Sequence, residues 1–405
     1  MREKTFSKDA ILALIGAFCY ISCATMAMPI TAGFTQSFDV NSDPLMCWIM
    51  KILGMGPDKF MDCLMGFMTG LMYLVSLCMR PVAGNMADKF SKAKLTIVGS
   101  GLMALSNFAY ALAPNLTSLA FARIVCGIGY AACTVSLSTW FSMLVPSNKV
   151  GKAMGIYGTM QAISMAIVGK VAISVTNFTN ERTAFVISGL FAVVTFALSF
   201  VIKDRGNPVV NTQTTKKKIR LLNINVLPVA LILMLFTIPY NATQGLIKEY
   251  VPSRGFNVDA GWFITMYAIF LIVLRVGFRN FFDKVRYRTF LFISLVSSIV
   301  SMTCLNFMNN YVFMGIAALC MAGGYGIMCS VTQATAIKLA GGKENRGVAN
   351  STYYMGFDAG MALGPTIGGI IKGNFGFAMF YPMLMLCSVL AFGIYLFNRK
   401  KIDNA

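Results

Sequence analysis

Two charged residues stand deep inside apolar stretches of this chain: Asp358, about ten residues into one run, and Arg123, several residues into another. A charge at such depth costs several kcal/mol unless it is paired, hydrated or turned toward a cavity, so each is a functional candidate by default. An acid placed there can carry a proton into and out of the apolar layer, which is the chemistry of a coupling site. The other reading of Asp358 is a helix-packing carboxyl, protonated or bonded to a neighbour's hydroxyl; the other reading of Arg123 is a structural hydrogen-bond donor. No histidine is present to share a proton-transfer role. Lys170 lies toward the end of its run, where snorkelling to an interface and contact with a solute explain it equally well.

Polar and aromatic residues within other runs could line a cavity: Ser22, Thr25, Tyr130, Tyr157, Gln161, Tyr240, Asn241, Gln244, Tyr267, Tyr325 and Gln333. Each alone also serves as a helix-packing hydrogen bond. Together they describe a mostly apolar site with hydroxyls and amides, and 29 methionines supply adaptable walls suited to loosely selective binding. Only Arg123 and Lys170 stand out as deep cations, which disfavours a highly charged di- or tricarboxylate. Gly360, Gly364, Gly368 and Gly369 form a small-residue stripe that permits close helix contact, with Pro365 loosening the helix locally.

The elements that must position these groups follow from composition. The 405 residues are 57% hydrophobic and 12% charged. Their apolar residues fall in twelve runs, roughly 10–33, 62–82, 94–113, 117–144, 152–176, 183–202, 226–247, 258–279, 289–307, 311–338, 348–372 and 376–398. About twenty apolar residues span the roughly 30 Å hydrocarbon core of a bilayer, so the expectation is an all-α membrane protein of twelve transmembrane helices. The first run is too long for a cleaved signal segment and is expected to remain as the first helix. A net charge of +19 does not imply nucleic acid, because Lys and Arg sit in short clusters between runs. Those clusters, such as Lys89, Lys92 and Lys94 or Lys216, Lys217, Lys218 and Arg220, fall on one side, which places both termini in the cytoplasm. Most of the 11 cysteines are isolated in apolar runs; Cys47 and Cys63 lie near the outer face and either pair or stay free.

Residues 203–225 are the one long polar stretch on the inner side and read as a linker between two six-helix bundles, 1–202 and 226–405. The halves are related: Arg80, Asp88 and Lys89 recur as Arg275, Asp283 and Lys284, and Gly129-Tyr130 as Gly324-Tyr325, each displaced by 195 positions. Parallel repeats of this kind are a transporter architecture, in which two bundles rock about a midplane site. One element breaks the symmetry, an outer loop of roughly residues 36–62 with an apolar centre, LMCWIMKILGM. It either lies on the membrane, caps the outer mouth, or is an insertion without a role.

Between runs 2 and 3, Gly84-Asn-Met-Ala-Asp88-Lys89-Phe90-Ser-Lys92-Ala-Lys94 resembles the signature loop of the major facilitator superfamily. Arg123-Ile-Val-Cys-Gly127-Ile-Gly129 is similar to a second motif of that family. Asp358-Ala-Gly360-Met-Ala-Leu-Gly364-Pro365-Thr-Ile-Gly368-Gly369 resembles the Gly-Pro pattern of its bacterial drug:proton antiporter-like branch. Glu249–Arg275 also looks like the helix 7–8 region of bacterial efflux members. Ser91 stands where the signature has its second glycine, and Arg279 replaces the glycine that matches Gly84. The resemblance implies two parallel six-helix pseudo-repeats, a cytoplasmic gate loop (Arg80, Gly84, Asp88, Lys89 and, in the second copy, Asp283) and a role for Arg123 in proton coupling. Without the family, Gly84 reads as the residue that permits a tight turn, and Asp88 as a carboxylate able to face a helix N-terminus.

The reading that follows is a secondary active transporter working by alternating access, with proton-coupled export of a small amphipathic or drug-like molecule. The second reading, suggested by the acid-free first run, is a uniporter or importer of a small metabolite such as a sugar or organic acid. An enzyme is not expected, since histidine, metal ligands and a clustered acid pair are all missing; no cofactor or metal is expected either. The expected partners are the lipid bilayer, a small-molecule substrate and the proton, with the chain acting as a monomer in the inner membrane of a cell.

Overall fold

The computed structural model describes residues 7–146, 149–207, 221–256, 261–278 and 285–403, with a few helical side chains, among them Cys63, Gln161 and Lys170, outside the described set. Nearly all of it is helical. Ahead of the connector run α1 (Lys8–Gln36), a short α2 (Pro44–Ile52), α3 (Pro57–Lys89), α4 (Lys92–Leu112), α5 (Leu116–Met143), α6 (Val150–Phe178) and α7 (Glu181–Val201). After it come α8 (Leu227–Ser253), α9 (Gly261–Phe278), α10 (Tyr287–Asn306), α11 (Tyr311–Met321), α12 (Ile327–Lys338), α13 (Arg346–Phe375) and α14 (Phe380–Asp403). A π-helical segment, Ala322–Gly326, joins α11 to α12, and the three make one span, Tyr311–Lys338. Among the described residues ten helices are long and apolar enough to cross a membrane. The helices α6 and α13, with 29 and 30 residues, are also long enough to cross, and with them each of the twelve apolar runs has its helix.

The burial pattern is that of a protein solvated by lipid. Large apolar side chains such as Leu112, Phe121, Phe178, Val273 and Phe397 face outward, whereas Ser22, Thr96, Ser100, Ser136, Ser188, Ser294 and Ser301 are fully buried. Lipid tails leave no hydrophobic reason to bury leucine, so helices associate through small residues and interhelical hydrogen bonds. Of the described residues, one compact unit comprises those of Phe6–Phe141 and Ile163–Pro208, and the other those of Ser142–Ala162 and Val209–Ala405. The last residues of α5 and the first half of α6 therefore cluster with the later part of the chain.

In the first unit, α1 and α4 pack on α7, and α5 meets α3 and α4 through the glycines of its motif. A Cβ on Gly127 would lie 2.7 Å from the Met72 carbonyl, and one on Gly129 would lie 2.7 Å from the Gly99 carbonyl. In the second unit the most extensive contact is α13 on α8. Gly356, Gly360, Gly364 and Gly368 face α8 at four-residue spacing; a Cβ on Gly360 would lie 2.5 Å from the Thr237 Cβ, and one on Gly364 would lie 2.7 Å from the Asn241 Cβ. Gly369 has nothing within 4 Å and lies off that seam.

The loop after α1 is folded. Met46 and Met50 of α2 join Val40, Phe60, Leu64, Met68, Leu71 and Leu116 in a buried apolar cluster, while Leu45, Trp48 and Ile52 stay exposed. Asp43 caps two helices at once, accepting the N–H of Met46 at 3.2 Å and, on α5, the N–H and hydroxyl of Thr117, both at 2.7 Å. Cys47 is a free, half-buried thiol.

Both ends of the connector are anchored. The Arg205 and Gly206 carbonyls accept the first N–H groups of α4, from Ala93 and Lys92, and the Asp204 carbonyl accepts the Trp140 indole N–H at 2.8 Å. Its far end is tied by Asn223, whose N–H donates to Thr352 at 2.9 Å. The Lys216–Arg220 cluster lies outside the described residues.

Candidate functional site

The signature residues sit in a helix, which corrects the expectation of a turn at Gly84. Arg80, Gly84, Asp88 and Lys89 all belong to the last turns of α3, and the reversal is made by Phe90 and Ser91, both extended. The helix continues through the polar residues because Arg80 has partners inside the unit. Fully buried, it donates to the Thr134 hydroxyl, and its guanidinium lies 5.5 Å from the Tyr130 ring centroid. Gly84 is buried, Asp88 half-buried and Lys89 exposed. Ser91 uses its hydroxyl to donate to the Arg205 carbonyl at 2.6 Å, a contact no glycine could make. Asp283, with Arg279 and Lys284, lies outside the described residues.

Arg123 is 1% exposed in α5, with its guanidinium 4.9 Å from the Tyr110 ring centroid and one nitrogen 3.5 Å from the Ala27 carbonyl. Its Nε and the Tyr110 hydroxyl have no hydrogen-bond partner among the described residues. Alongside runs a polar chain the sequence reading missed: Ser188 donates to Asn107 at 2.8 Å and to the Cys23 carbonyl at 2.8 Å. Ser22 and Thr25 of α1 meet through another missed residue, Ser164 of α6, at 3.2 and 3.3 Å. Tyr130 sits edge-on to Tyr73 and near Tyr20.

The second unit gathers the other aromatic candidates. Tyr325, in the π-segment, stacks on Tyr240 of α8 with centroids 4.1 Å apart, and Tyr240 lies 5.0 Å from Tyr267 of α9. All three are buried, as is Tyr157 of α6. Arg275, one repeat on from Arg80, is 3% exposed in the last turn of α9 and donates to the Gly326 carbonyl at 2.8 Å. The sequence singles out Arg123 and Lys170 as the deep cations; Arg80 and Arg275 are as deeply buried as Arg123, on the inner faces of their helices.

Gln333 donates to the Tyr354 hydroxyl at 3.0 Å. One turn along α13 from Tyr354 stands Asp358, fully buried, between the seam glycines Gly356 and Gly360. Asn241 back-bonds to the Thr237 carbonyl at 3.0 Å beside Gly364, and Gln244 keeps a buried amide nitrogen without a partner among the described residues. Pro365 lies inside α13, with its ring against Gly245. Gln161 is on α6, its side chain outside the described set, as is that of Lys170. No group of three or more metal-ligating side chains occurs among the described residues.

Twelve crossing helices, two related halves and buried charges on glycine-lined helices define a polytopic membrane carrier. The family model described as Major Facilitator Superfamily matches residues 10–344 and 258–404, and the chain belongs to that superfamily of transporters. It is 23% identical over 341 residues to multidrug resistance protein 1 of Bacillus subtilis, covering 81% of this chain and 85% of that protein. It is 24% identical over 379 residues to the quinolone resistance protein NorA of Staphylococcus aureus, covering 89% and 92%. Among solved structures, the proton:xylose symporter XylE superposes with a TM-score of 0.75 at 14% identity, over 97% of this chain and 94% of that one, a likeness of fold alone.

Proposed function

We propose that this transporter exports a small amphipathic or drug-like molecule in exchange for protons. The observation that carries the proposal is Asp358, a fully buried acid on α13, the helix whose glycines lie closest to α8. A carboxyl so placed can hold a proton in one state and release it in another as neighbouring helices separate. The printed names of the relatives, multidrug and quinolone resistance proteins, support the same substrate class. In this reading Arg123 modulates the coupling, Arg80, Gly84, Asp88, Lys89 and Asp283 form a gate on the cytoplasmic face, and the buried tyrosines, hydroxyls and amides line the cavity. Residues 1–202 and 226–405 move as two bundles joined by 203–225. The protein acts as a monomer with both termini inside, in the cytoplasmic membrane of a bacterium.

The experiment is accumulation of an amphipathic dye in inverted vesicles under an imposed pH gradient, acid inside. Gradient-driven accumulation that an ionophore collapses supports export. The second reading, uniport or import of a small metabolite, is favoured by the absence of any acid from residues 10–33. Counterflow that ignores the pH gradient would replace the first reading with the second.

A further inference from the structure

The repeat gives Arg80 and Arg275 the same place in the two halves, but their surroundings differ. Arg80 donates to Thr134 and lies over Tyr130. One repeat on from Thr134 stands Cys329, a poor acceptor, and one repeat on from Tyr130 stands Tyr325, which stacks on Tyr240. Arg275 therefore uses only Nη2, on the Gly326 carbonyl, and its Nε and Nη1 have no partner among the described residues. The Ser330 hydroxyl beside it is also buried and unpartnered. A Cβ on Gly158 of α6 would lie 3.0 Å from Arg275 Nη1 and 2.5 Å from Ser330 Oγ, so this glycine closes over both donors.

A buried charge-bearing donor left unmade is costly, and a guanidinium supplies planar N–H donors that match a carboxylate. Three buried tyrosines lie beside it, Tyr240 stacked on Tyr325 and tilted by 38° to Tyr267, which feels the Arg275 charge, and the π-segment that carries Tyr325 and Gly326 is a distortion often found at functional sites. We infer that Arg275 and Ser330 form an anion subsite that takes the carboxylate of an aromatic substrate, its ring against the tyrosines, and that Gly158 seals the subsite in this conformation. This rests on the transporter reading and narrows its substrate class to amphipathic aromatic acids. Cys329 is the substitution that frees the subsite from the role its counterpart plays in the first half.

The test compares 2-naphthoate with its uncharged isostere 2-naphthamide on the detergent-purified full chain at neutral pH, by equilibrium binding and by the rise in melting temperature. The expected result is a preference for naphthoate of about tenfold, the scale of one hydrogen bond to a charged group, lost in Arg275→Gln. Cys329→Thr, which restores the acceptor Arg80 enjoys, is expected to raise the melting temperature of the unliganded protein and weaken naphthoate binding. Equal binding of acid and amide overturns the inference, as does a preference that survives Arg275→Gln. If Arg275→Gln fails to fold, an unchanged preference in Cys329→Thr overturns it. Binding is read without a gradient, so dye accumulation in vesicles succeeds or fails independently of it.

Discussion

Asp43 shows how one side chain can hold an irregular loop in place. Burial on its own pushes its carboxyl up, but the hydroxyl and N–H of Thr117 and the N–H groups of Met46 and Leu45 outweigh it and hold the group below the ordinary carboxylate range. A value lowered by folding stabilises the protein above the unfolded value of about 3.9, and that contribution is lost as pH falls through the folded value. Asp43→Ala is expected to cost about 1–2 kcal/mol at neutral pH, read as a lower melting temperature. The gap between parent and variant should narrow as the solution is acidified; a constant gap would mean the carboxylate's charge is not what caps these helices. Thr134→Val should strand a donor of the buried Arg80 and cost about 1–3 kcal/mol by the same measurement, whereas an unchanged melting temperature would show that Arg80 finds another acceptor.

At the scale of elements, α13 and α8 meet so closely that side chains are excluded from the seam. Gly360→Val places a Cβ 2.5 Å from the Thr237 Cβ and 3.0 Å from the Met234 carbonyl, both on a neighbouring helix that cannot yield easily. Loss of the folded species on size exclusion, or a melting temperature lowered by the equivalent of about 1–3 kcal/mol, is the expected outcome. Gly369→Ala, with nothing within 4 Å, should leave both measurements unchanged. The apolar runs foretold the helices because a membrane-crossing helix must be apolar along its length, and the run at 311–338 became a single span. Their ends were less legible: the run at 62–82 became Pro57–Lys89, because Arg80 is buried against Thr134 and Tyr130 and Asn85 donates back to the Pro81 carbonyl at 2.8 Å, so the helix runs on past the apolar stretch. The π-segment Ala322–Gly326 left no mark in hydropathy, since it shifts the backbone hydrogen bonds to i→i+5 and leaves the apolar run unbroken. Ser164, Asn107, Ser188 and Ser330 went unnoticed because lone hydroxyls and amides are common in such helices. Pairing Ser188 with Asn107, 81 positions apart, takes the fold. Arg275 could have been found, since the 195-residue repeat already matched it to Arg80.

For the whole molecule, the central claim is that a buried carboxyl couples proton movement to the passage of an amphipathic solute. Arg80, Arg123, Arg275 and Asp358 are all buried in a protein that turns large apolar side chains outward, and carrying four such ionisable groups makes sense where helices must exchange partners. The most direct measurement sets Asp358→Asn beside the parent in proteoliposomes, reading gradient-driven uptake of an amphipathic dye and, separately, dye counterflow with no gradient. The account predicts that the variant loses gradient-driven accumulation and keeps counterflow. Accumulation by the variant at the parent's level, still dependent on the pH gradient, would contradict it.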